Sequence, residues 1–219
     1  MIKHDVEQRS PAWFAARCGR LTSSSAAEML SQPPKGKPET AGREKLRERL
    51  AMEQMAGAPM EPSVRVTQAM QNGIDREADA LATYEAHSGY LIRRCGFLQH
   101  DDLMAGTSLD AYAGDLGVQC LIIEVKCPMP HTQMAVAESG EIPSHYRKQL
   151  LHHCWMAGTR TGEFVTYCPE FVGELDRHRL IVLPVTFTRS EIENYDVEVR
   201  RFLAEVAVRV EEIRSIRSL

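Results

Sequence analysis

Residues 106–128, GTSLDAYAGDLGVQCLIIEVKCP, carry the pattern that decides the fold. Near the end of this stretch, side chains alternate with the period of two that is typical of a β-strand. One side of that strand would carry Ile123, Val125 and Cys127, and the other Ile122, Glu124 and Lys126. A Glu and a Lys therefore share one face of an otherwise apolar strand, where an unpaired charge is expensive. A solvated Glu–Lys pair on an edge strand is the simpler interpretation.

The preceding residues predict a turn in GDLGV, with Gly117 near its centre. Asp110 and Glu124 are equidistant from Gly117, so a hairpin would place them opposite each other with Cβ atoms about 5 Å apart. Two carboxylates that close repel unless a proton or a cation lies between them, and carboxylate oxygens suit Mg²⁺. Asp115 is the alternative ligand, but it falls inside the predicted turn, where Asp is common for local reasons. We therefore favour Asp110.

The set Asp110, Glu124 and Lys126 has a chemical logic. Two carboxylates can hold Mg²⁺ against a phosphate, where the ion activates a water and neutralises developing charge. A lysine beside them can orient that water or stabilise the transition state. By itself the pattern is weak, because many unrelated sequences match it by chance.

Glu77 adds a third carboxylate. The stretch 70–87 carries an apolar stripe at helical spacing, formed by Met70, Ile74, Leu81 and Tyr84, and Glu77 lies on this stripe. A carboxylate on a buried face needs a partner. That partner is either an arginine in a structural salt bridge or the metal site.

Composition sets limits on the class of protein. The chain has 219 residues, 43% hydrophobic and 26% charged, as in a globular protein with one sizeable core. It has neither an apolar run of roughly 18 residues nor the apolar region of a secretory signal, so we expect a cytosolic protein without membrane association. The net charge of −4 means that any DNA-binding surface must be local. The six cysteines lack zinc spacing and are expected to be reduced.

The order of predicted elements indicates a mixed α/β domain with an added N-terminal helical part. Helices are predicted over 10–19, 24–30, 42–55, 66–87, 144–157 and 188–216, and strands over 90–99, 103–110, 120–127, 163–167 and 178–183. Capping boxes are predicted at Ser25 with Glu28 and at Thr188 with Glu191. His152 and His153 form an adjacent pair, but successive helical residues point about 100° apart, so no metal site is predicted there.

The chain resembles the phage lambda exonuclease family (YqaJ-like viral recombinases) of the PD-(D/E)xK superfamily in ordered blocks. They are AWFAARCGRLTSS (12–24), NGIDREADAL (72–81), TSLDA (107–111) with IEVKCP (123–128), IPSHYRKQLL (142–151) and FVTYCP (164–169). The resemblance implies a restriction-endonuclease-like core with a central mixed sheet flanked by helices. It also implies a single exonuclease domain over 1–219, divided into an N-terminal helical part (1–65), a nuclease core (66–185) and a C-terminal helix (186–219).

The resemblance implies roles for particular residues at the metal site. Asp110, Glu124 and Glu77 would be acidic ligands, with the carbonyl of Val125 as a backbone ligand. Lys126 takes the position of the catalytic lysine. Gln149 matches a glutamine that lines the active site in the family; without the family it would be a helix-surface residue beside the stripe of Tyr146, Leu150 and Cys154.

A second set matches the family's site for a 5′-terminal phosphate: Arg17, Ser24 and Ser108. A guanidinium grips phosphate oxygens and hydroxyls donate hydrogen bonds. Without the family, Arg17 would be a cation at a helix C-terminus and Ser24 an N-cap, and an offset of one to Ser23 or Ser25 is open. Lys35 and Lys37, in the loop QPPKGKPET, are candidate DNA-backbone contacts or simply solvated.

The function implied by the resemblance is Mg²⁺-dependent, processive 5′→3′ digestion of one strand of linear duplex DNA, using two ions, with Mn²⁺ as a substitute. It would release mononucleotides and leave 3′ single-stranded tails for recombination. The resemblance places this phage- or prophage-type protein in the cytosol of the bacterial host. The implied partners are duplex ends with a 5′-phosphate, two further copies in a homotrimeric ring, and a single-strand annealing recombinase. The alternatives are a PD-(D/E)xK endonuclease, an iron–sulfur nuclease of the CRISPR-associated kind, and a non-catalytic protein that binds DNA ends. The iron–sulfur kind needs a C-terminal cysteine cluster, and no cysteine follows Cys168.

Overall fold

The computed structural model describes residues 1–60 and 68–216, and of 68–70 only the backbone. Its helices are α1 (Pro11–Arg17), α2 (Ala26–Met29), α3 (Ala41–Ala56), α4 (Gln68–Ser88), α5 (Pro130–Ser139), α6 (Ser144–Ala157) and α7 (Arg189–Ser215). Its strands are β1 (Ile2–His4), β2 (Leu21–Thr22), β3 (Ile92–Arg93), β4 (Phe97–Gln99), β5 (Ala105–Thr107), β6 (Ala111–Asp115), β7 (Gln119–Lys126), β8 (Thr161–Tyr167) and β9 (Leu180–Thr186). The predicted helix start at Val66 and the side chain of Met70 lie outside the described residues.

The larger sheet has five strands in the order β3-β6-β7-β8-β9. β7 and β8 run parallel and the other neighbours antiparallel, so the sheet is mixed as predicted. The predicted alternation along β7 is confirmed. Ile122 packs into the core formed with α6 and α7, whereas Ile123 and Val125 pack on the opposite side against Leu81 and Tyr84 of α4. Both faces of β7 are therefore covered, which explains its nearly continuous apolar sequence.

A second, four-stranded sheet in the order β1-β4-β5-β2 corrects two predictions. The N-terminal part is not purely helical, because β1 and β2 belong to it. The predicted strand over 90–99 is broken into β3 and β4, which enter different sheets. Gly96 lies at the break, where a Cβ atom would come within 2.2 Å of the Val6 carbonyl oxygen. The N-terminal segment thus packs directly against the backbone at Gly96, and the strand predicted over 90–99 is interrupted there.

Of the two predicted capping boxes, one is present. The capping box of Thr188 and Glu191 is present at the start of α7. The capping box predicted at Ser25 is wrong, because the Ser25 side chain makes no cap hydrogen bond and a short 3₁₀ turn (Ser23–Ser25) precedes α2. Helix α5 was not predicted, although Pro130 lies in its first turn and Gly140 follows its end.

Within the described part of the chain, none of the helices combines the length and the apolar character that crossing a membrane requires.

Candidate active site

The hairpin of β6 and β7 brings two acidic side chains together. Gly117 lies in the turn with a φ of 78°, and the last pair before the turn is Asp115 with Gln119. The register pairs Ala111 with Ile123, so Asp110, which immediately precedes β6, lies opposite Glu124 as predicted. An Asp110 oxygen, Oδ2, accepts a hydrogen bond of 2.8 Å from the backbone N–H of Val125.

Asp115, the alternative ligand, does not join this pair. It lies at the other end of β6, about 16 Å away for an extended strand of this length. Its side chain is 74% exposed and pairs with Arg93 at 3.3 Å. Asp110 is therefore the hairpin carboxylate that faces Glu124.

Lys126 lies between the two carboxylates. Its ammonium donates a hydrogen bond to Glu124 Oε1 and lies 3.8 Å from Asp110 Oδ2. It also lies 5.4 Å from the centre of the Tyr146 ring, which projects from the first turn of α6. The charged side chains of β7 thus lie beneath α6. The interpretation of Glu124 and Lys126 as a solvated pair on an edge strand is wrong, because Glu124 is fully buried.

Burial and neighbouring charges shift the protonation of this group. Burial and the nearby charge of Glu124 raise the pKa of Asp110 to about 6. Burial also disfavours ionised Glu124, but Lys126 and His153 outweigh it and hold the pKa of Glu124 well below its usual range. Burial acts against the ammonium of Lys126, yet Glu124 and Asp110 raise the pKa of that lysine. With all three ionised, the group carries a net negative charge that favours a cation.

His153, which the sequence did not single out, is in direct contact with this group. Its Nε2 lies 2.9 Å from Glu124 Oε2, and its Nδ1 lies 2.6 Å from the hydroxyl of Thr107. All three side chains are buried. His153 follows Tyr146 by seven residues, two helical turns, and this spacing is the sequence signal that would have placed it on the same face of α6.

His152 points elsewhere, as the helical geometry predicts. Its Nε2 lies 3.0 Å from the carbonyl oxygen of Gly106 and its Nδ1 lies 2.7 Å from the hydroxyl of Tyr195. Burial lowers the pKa of His152 to about 3, so the ring is neutral. Since a carbonyl only accepts, Nε2 carries the proton and Nδ1 accepts from Tyr195. His152 thus ties the end of β5 to α7.

Glu77 is paired with arginines, which is one of the two alternatives that the sequence left open for this carboxylate. Its carboxylate lies 3.5 Å from Arg9 Nη2 and 3.6 Å from Arg94 Nη2. It also lines a cavity of about 270 Å³ together with Asp110. Glu77 is therefore adjacent to the acidic pair, but its charge is paired with arginines.

Gln149 lies on the same face of α6 as the residues that touch the site. It follows Tyr146 by three residues and precedes His153 by four, which places the three side chains on adjoining turns. Gln149 is half-buried, and its side chain makes no hydrogen bond to any residue that the structure describes. Its amide is thus free to bind a substrate or a water.

The predicted phosphate-binding residues are joined by a chain of hydrogen bonds. Arg17 donates to the hydroxyl of Ser108 at 3.2 Å and to that of Thr22 at 3.3 Å. Thr22 in turn lies 3.2 Å from the hydroxyl of Ser24. The indole of Trp13 donates to Ser108 at 2.7 Å and lies under the Arg17 guanidinium. Trp13 and Thr22 are members of this cluster that the sequence did not single out.

The cluster around Arg17 has a positive electrostatic character. Burial, followed by the charge of Arg49, lowers the pKa of Arg17 to about 10. Arg49 donates a hydrogen bond of 3.4 Å to Ser25, which adjoins Ser24. The buried Glu53 lies 3.9 Å from Arg49, so the two guanidinium groups and this carboxylate together carry a net charge of +1, which favours a bound anion.

Lys35 and Lys37 are exposed in the loop between α2 and α3. No contact of either side chain connects them to the carboxylates or to Arg17, so their role stays a prediction.

The donor set fits a divalent cation of the Mg²⁺ type. Glu124 Oε2 is buried and lies 2.9 Å from His153 Nε2, but the two atoms are not aligned for a hydrogen bond, so this oxygen keeps its lone pairs for a cation. Hard oxygen ligands are those that Mg²⁺ prefers. Among the described residues, no group of three His, Cys, Asp or Glu side chains is arranged to hold a metal ion by itself. A cation would therefore be held by Asp110 and Glu124 with solvent or substrate oxygens, which is usual for Mg²⁺.

Comparison with known proteins identifies the family. The model of the YqaJ-like viral recombinase domain matches residues 12–160. An alkaline exonuclease from Laribacter hongkongensis, LHK-Exo, is similar over 94% of this chain and 96% of its own, with 25% identity and a TM-score of 0.80. In complex with dAMP, LHK-Exo gives 26% identity and a TM-score of 0.81. A phage-related exonuclease from Haemophilus somnus shares the fold, with 13% identity, a TM-score of 0.63 and coverage of 89% and 96%.

No curated protein matches the chain. The family match nevertheless covers well over half of the sequence and includes the Arg17 cluster, the acidic pair, Lys126 and the whole of α6. The chain therefore belongs to the YqaJ-like viral recombinase family.

Proposed function

We propose that this protein is a Mg²⁺-dependent 5′→3′ exonuclease that digests one strand of linear duplex DNA to mononucleotides and leaves 3′ single-stranded tails. Family membership and the alkaline exonuclease neighbours support nuclease activity. One observation carries the finer proposal: the Arg17 cluster and the acidic pair are built on the same short segment, through Ser108 and Asp110.

The distance along this segment supports the release of single nucleotides. Ser108 and Asp110 are two residues apart, and their Cα atoms are separated by about 7 Å if the backbone between them is extended. A 5′-terminal phosphate held by Arg17 and Ser108 would thus lie about one nucleotide from the carboxylate of Asp110. Fixing the strand end in this way selects which phosphodiester is cleaved.

The residues of the chain have distinct roles in this reaction. A bound divalent cation would supply Lewis-acid stabilisation of the phosphoryl oxygens. Lys126, kept protonated by Glu124, donates hydrogen bonds to the attacking water or to the phosphate as negative charge develops. Gln149 supplies a neutral amide that can orient the same water. The water oxygen bonds to phosphorus while the bond from phosphorus to the 3′-oxygen of the terminal nucleotide breaks. The water loses a proton to solvent, and the leaving 3′-oxygen takes one up to become a hydroxyl.

The products of this cleavage explain repeated action. The departing nucleotide keeps its own 5′-phosphate, and the shortened strand gains a new 5′-phosphate at its end. That new end has the chemistry that Arg17 and Ser108 bind, so each cycle regenerates the substrate.

The proposal further includes two ions, Mn²⁺ as a substitute, a homotrimeric ring around the DNA and a single-strand annealing recombinase as partner, all taken from the family resemblance.

The direct test measures nucleotide release from linear duplex DNA with a 5′-phosphate in Mg²⁺. Lys126→Met keeps the aliphatic stem and removes the charge, and release should fall by at least about 100-fold. Binding to DNA ends should be retained. Lys3→Ala is the matched control, because Lys3 lies in the other sheet and pairs with Asp5.

The outcomes separate the candidate functions. Full activity of Lys126→Met would refute the role of the lysine. If wild-type protein binds ends without releasing nucleotides, the protein is a non-catalytic end-binding protein. Cleavage of covalently closed circular duplex would instead identify an endonuclease.

A further inference from the structure

Arg9 has an unusual backbone conformation. Its φ of 69° lies in the left-handed region, and it is the one non-glycine residue with a positive φ in the described part of the chain. A long side chain at this position is disfavoured by sterics. The conformation is held by its neighbour Gln8, whose side-chain amide donates to the carbonyl oxygens of Cys95 at 3.2 Å and Leu109 at 3.1 Å. Strain that the surroundings enforce in this way is frequent at functional sites.

The result of this conformation is a pair of arginines on one carboxylate. Arg9 and Arg94 approach Glu77 from different elements, at 3.5 and 3.6 Å. The Glu77 side chain is 17% exposed, whereas Arg9 is 47% and Arg94 59% exposed. Ion pairs with such exposed partners stabilise a fold very little. The positive φ of Arg9 belongs to a turn in which the Ser10 N–H donates to the Glu7 carbonyl at 3.1 Å, and this turn directs the Arg9 side chain to Glu77.

The arginine pair, Arg9 and Arg94, has capacity for a further anion. Each guanidinium carries five N–H donors, and the contact with Glu77 uses one nitrogen of each. Two positive charges on one carboxylate leave a net charge of +1. Both arginines line the cavity of about 270 Å³ that Asp110 and Glu7 also line. Two guanidinium groups thus lie directly beside the acidic pair.

This placement answers an electrostatic problem of the proposed reaction. Asp110, Glu124 and Lys126 together carry a net negative charge, which repels a phosphate. Guanidinium groups match phosphate oxygens in geometry and charge. Arg94 lies within the residues 12–160 that the family model matches, and Arg9 precedes them.

We propose that Arg9 and Arg94 bind a phosphate group of the nucleotide strand beside the catalytic carboxylates, an inference that rests on the proposed function in placing the cleaved bond at Asp110 and Glu124. The phosphate belongs either to the bound strand or to the released mononucleotide. Both are esters of phosphate, and the experiment distinguishes them.

The test measures how salt weakens binding of a 5′-phosphorylated duplex in EDTA, where no strand is cleaved. Each phosphate contact contributes about 0.9 to the slope of log affinity against log salt concentration. Because the two arginines share one phosphate, the double variant should lower the slope by about 1, and Arg9→Ala and Arg94→Ala should each lower it by part of that amount. Arg93→Ala is the matched control: Arg93 adjoins Arg94, is 53% exposed and pairs with Asp115, so its slope should match wild type.

A glycine variant separates strain from binding. Arg9→Gly removes the guanidinium and also relieves the left-handed conformation, because glycine adopts it freely. Its melting temperature should equal or exceed that of wild type while the slope falls as in Arg9→Ala. In a parallel measurement with dAMP, weaker binding by the double variant would assign the pair to the released mononucleotide. Unchanged dAMP binding with a reduced slope would assign it to the strand.

Unchanged slopes and unchanged dAMP binding in both alanine variants would overturn the inference, even if wild-type protein digests DNA. A lower melting temperature of Arg9→Gly without any loss of binding would show that the arginine is structural. Absence of nucleotide release by wild-type protein in Mg²⁺ would instead refute the proposed function, and the EDTA binding slopes would still decide the role of the arginines.

Discussion

Asp110→Asn should make the metal-free protein more stable at neutral and alkaline pH. The Asp110 side chain is 18% exposed and lies opposite the buried Glu124. Burial and the charge of Glu124 raise the pKa of Asp110 from 3.8 to about 6. At pH 8 the folded protein must therefore ionise a group that its surroundings prefer to keep neutral. Asparagine removes that charge and still accepts the hydrogen bond from the Val125 N–H.

The size of the effect follows from the pKa difference. A shift of about two pKa units corresponds to about 3 kcal/mol, at 1.36 kcal/mol per unit. Below pH 3.8 Asp110 is protonated in both states and costs nothing. The folded state binds more protons than the unfolded state between pH 3.8 and about 6, so wild-type stability falls across that interval. The advantage of Asp110→Asn should grow over the same interval and then stay constant.

The assay is urea or thermal unfolding of both proteins in EDTA at pH 5 and pH 8. At pH 8, Asp110→Asn should unfold with a free energy about 2–3 kcal/mol higher, equivalent to a melting temperature roughly 5–10 °C higher for a chain of this size. Asp115→Asn is the control, because its exposed pair with Arg93 should change stability by less than about 0.5 kcal/mol.

Addition of Mg²⁺ should reverse the order. A ligand at 1,000 times its dissociation constant stabilises the folded state by about 4.1 kcal/mol, and wild-type protein should gain this while Asp110→Asn gains much less. The reasoning is refuted if Asp110→Asn is the less stable protein in EDTA at pH 8. Equal stabilisation of both proteins by Mg²⁺ would show that the ion does not bind at Asp110.

The two remaining predictions concern the Arg17 cluster and α6. Arg17→Ala should narrow the preference for 5′-phosphorylated over 5′-hydroxyl ends by about 10- to 100-fold, since hydrogen bonds to charged groups are worth about 1.5–3 kcal/mol; comparing initial cleavage rates on the two substrates measures it, and an unchanged ratio would contradict the assignment. His153→Ala should lower the free energy of unfolding by about 3 kcal/mol, because it leaves a cavity and a buried Thr107 hydroxyl without its partner. In combination with Thr107→Val the two losses should be less than additive, and strict additivity in denaturation experiments would rule out the contact.

The central hairpin was predictable because its signals are local. The alternation along β7 and the glycine turn at Gly117 lie within a few residues of each other, and together they fix the register. Once the register is fixed, Asp110 must lie opposite Glu124. The capping box of Thr188 is equally local, and it was also predicted correctly.

The second sheet was not predictable in the same way. β1 has three residues and β2 two, too few to show a period. Their partners are remote in sequence, since Ile2 pairs with Gln99 and Leu21 with Ala105. The break between β3 and β4 depends on the approach of the N-terminal segment to Gly96, which no local pattern encodes.

The environment of the candidate site shows the same division. Residue types at fixed spacing pointed to Asp110, Glu124 and Lys126, and the structure brings these three together. The contacts of Glu77 with Arg9 and of Glu124 with His153 join residues that are far apart in sequence. Such partners are set by packing of whole elements, so a sequence pattern could show only that a buried carboxylate needs a partner.

The segment 106–110 connects the Arg17 cluster to the acidic pair, and every residue in it is anchored by a different side chain or strand. The anchors, in order, are His152 on the Gly106 carbonyl, His153 on Thr107, Arg17 and Trp13 on Ser108, Gln8 on the Leu109 carbonyl, and Val125 on Asp110. At Gly106 a Cβ atom would come within 2.2 Å of the Phe97 ring, so the segment also packs directly on β4. A loop held at each residue has little freedom to stretch. If the 5′-phosphate binds at the Arg17 cluster as we propose, this segment sets the distance between the strand end and the cleaved bond before any DNA binds, and its rigidity would give a constant step of one nucleotide.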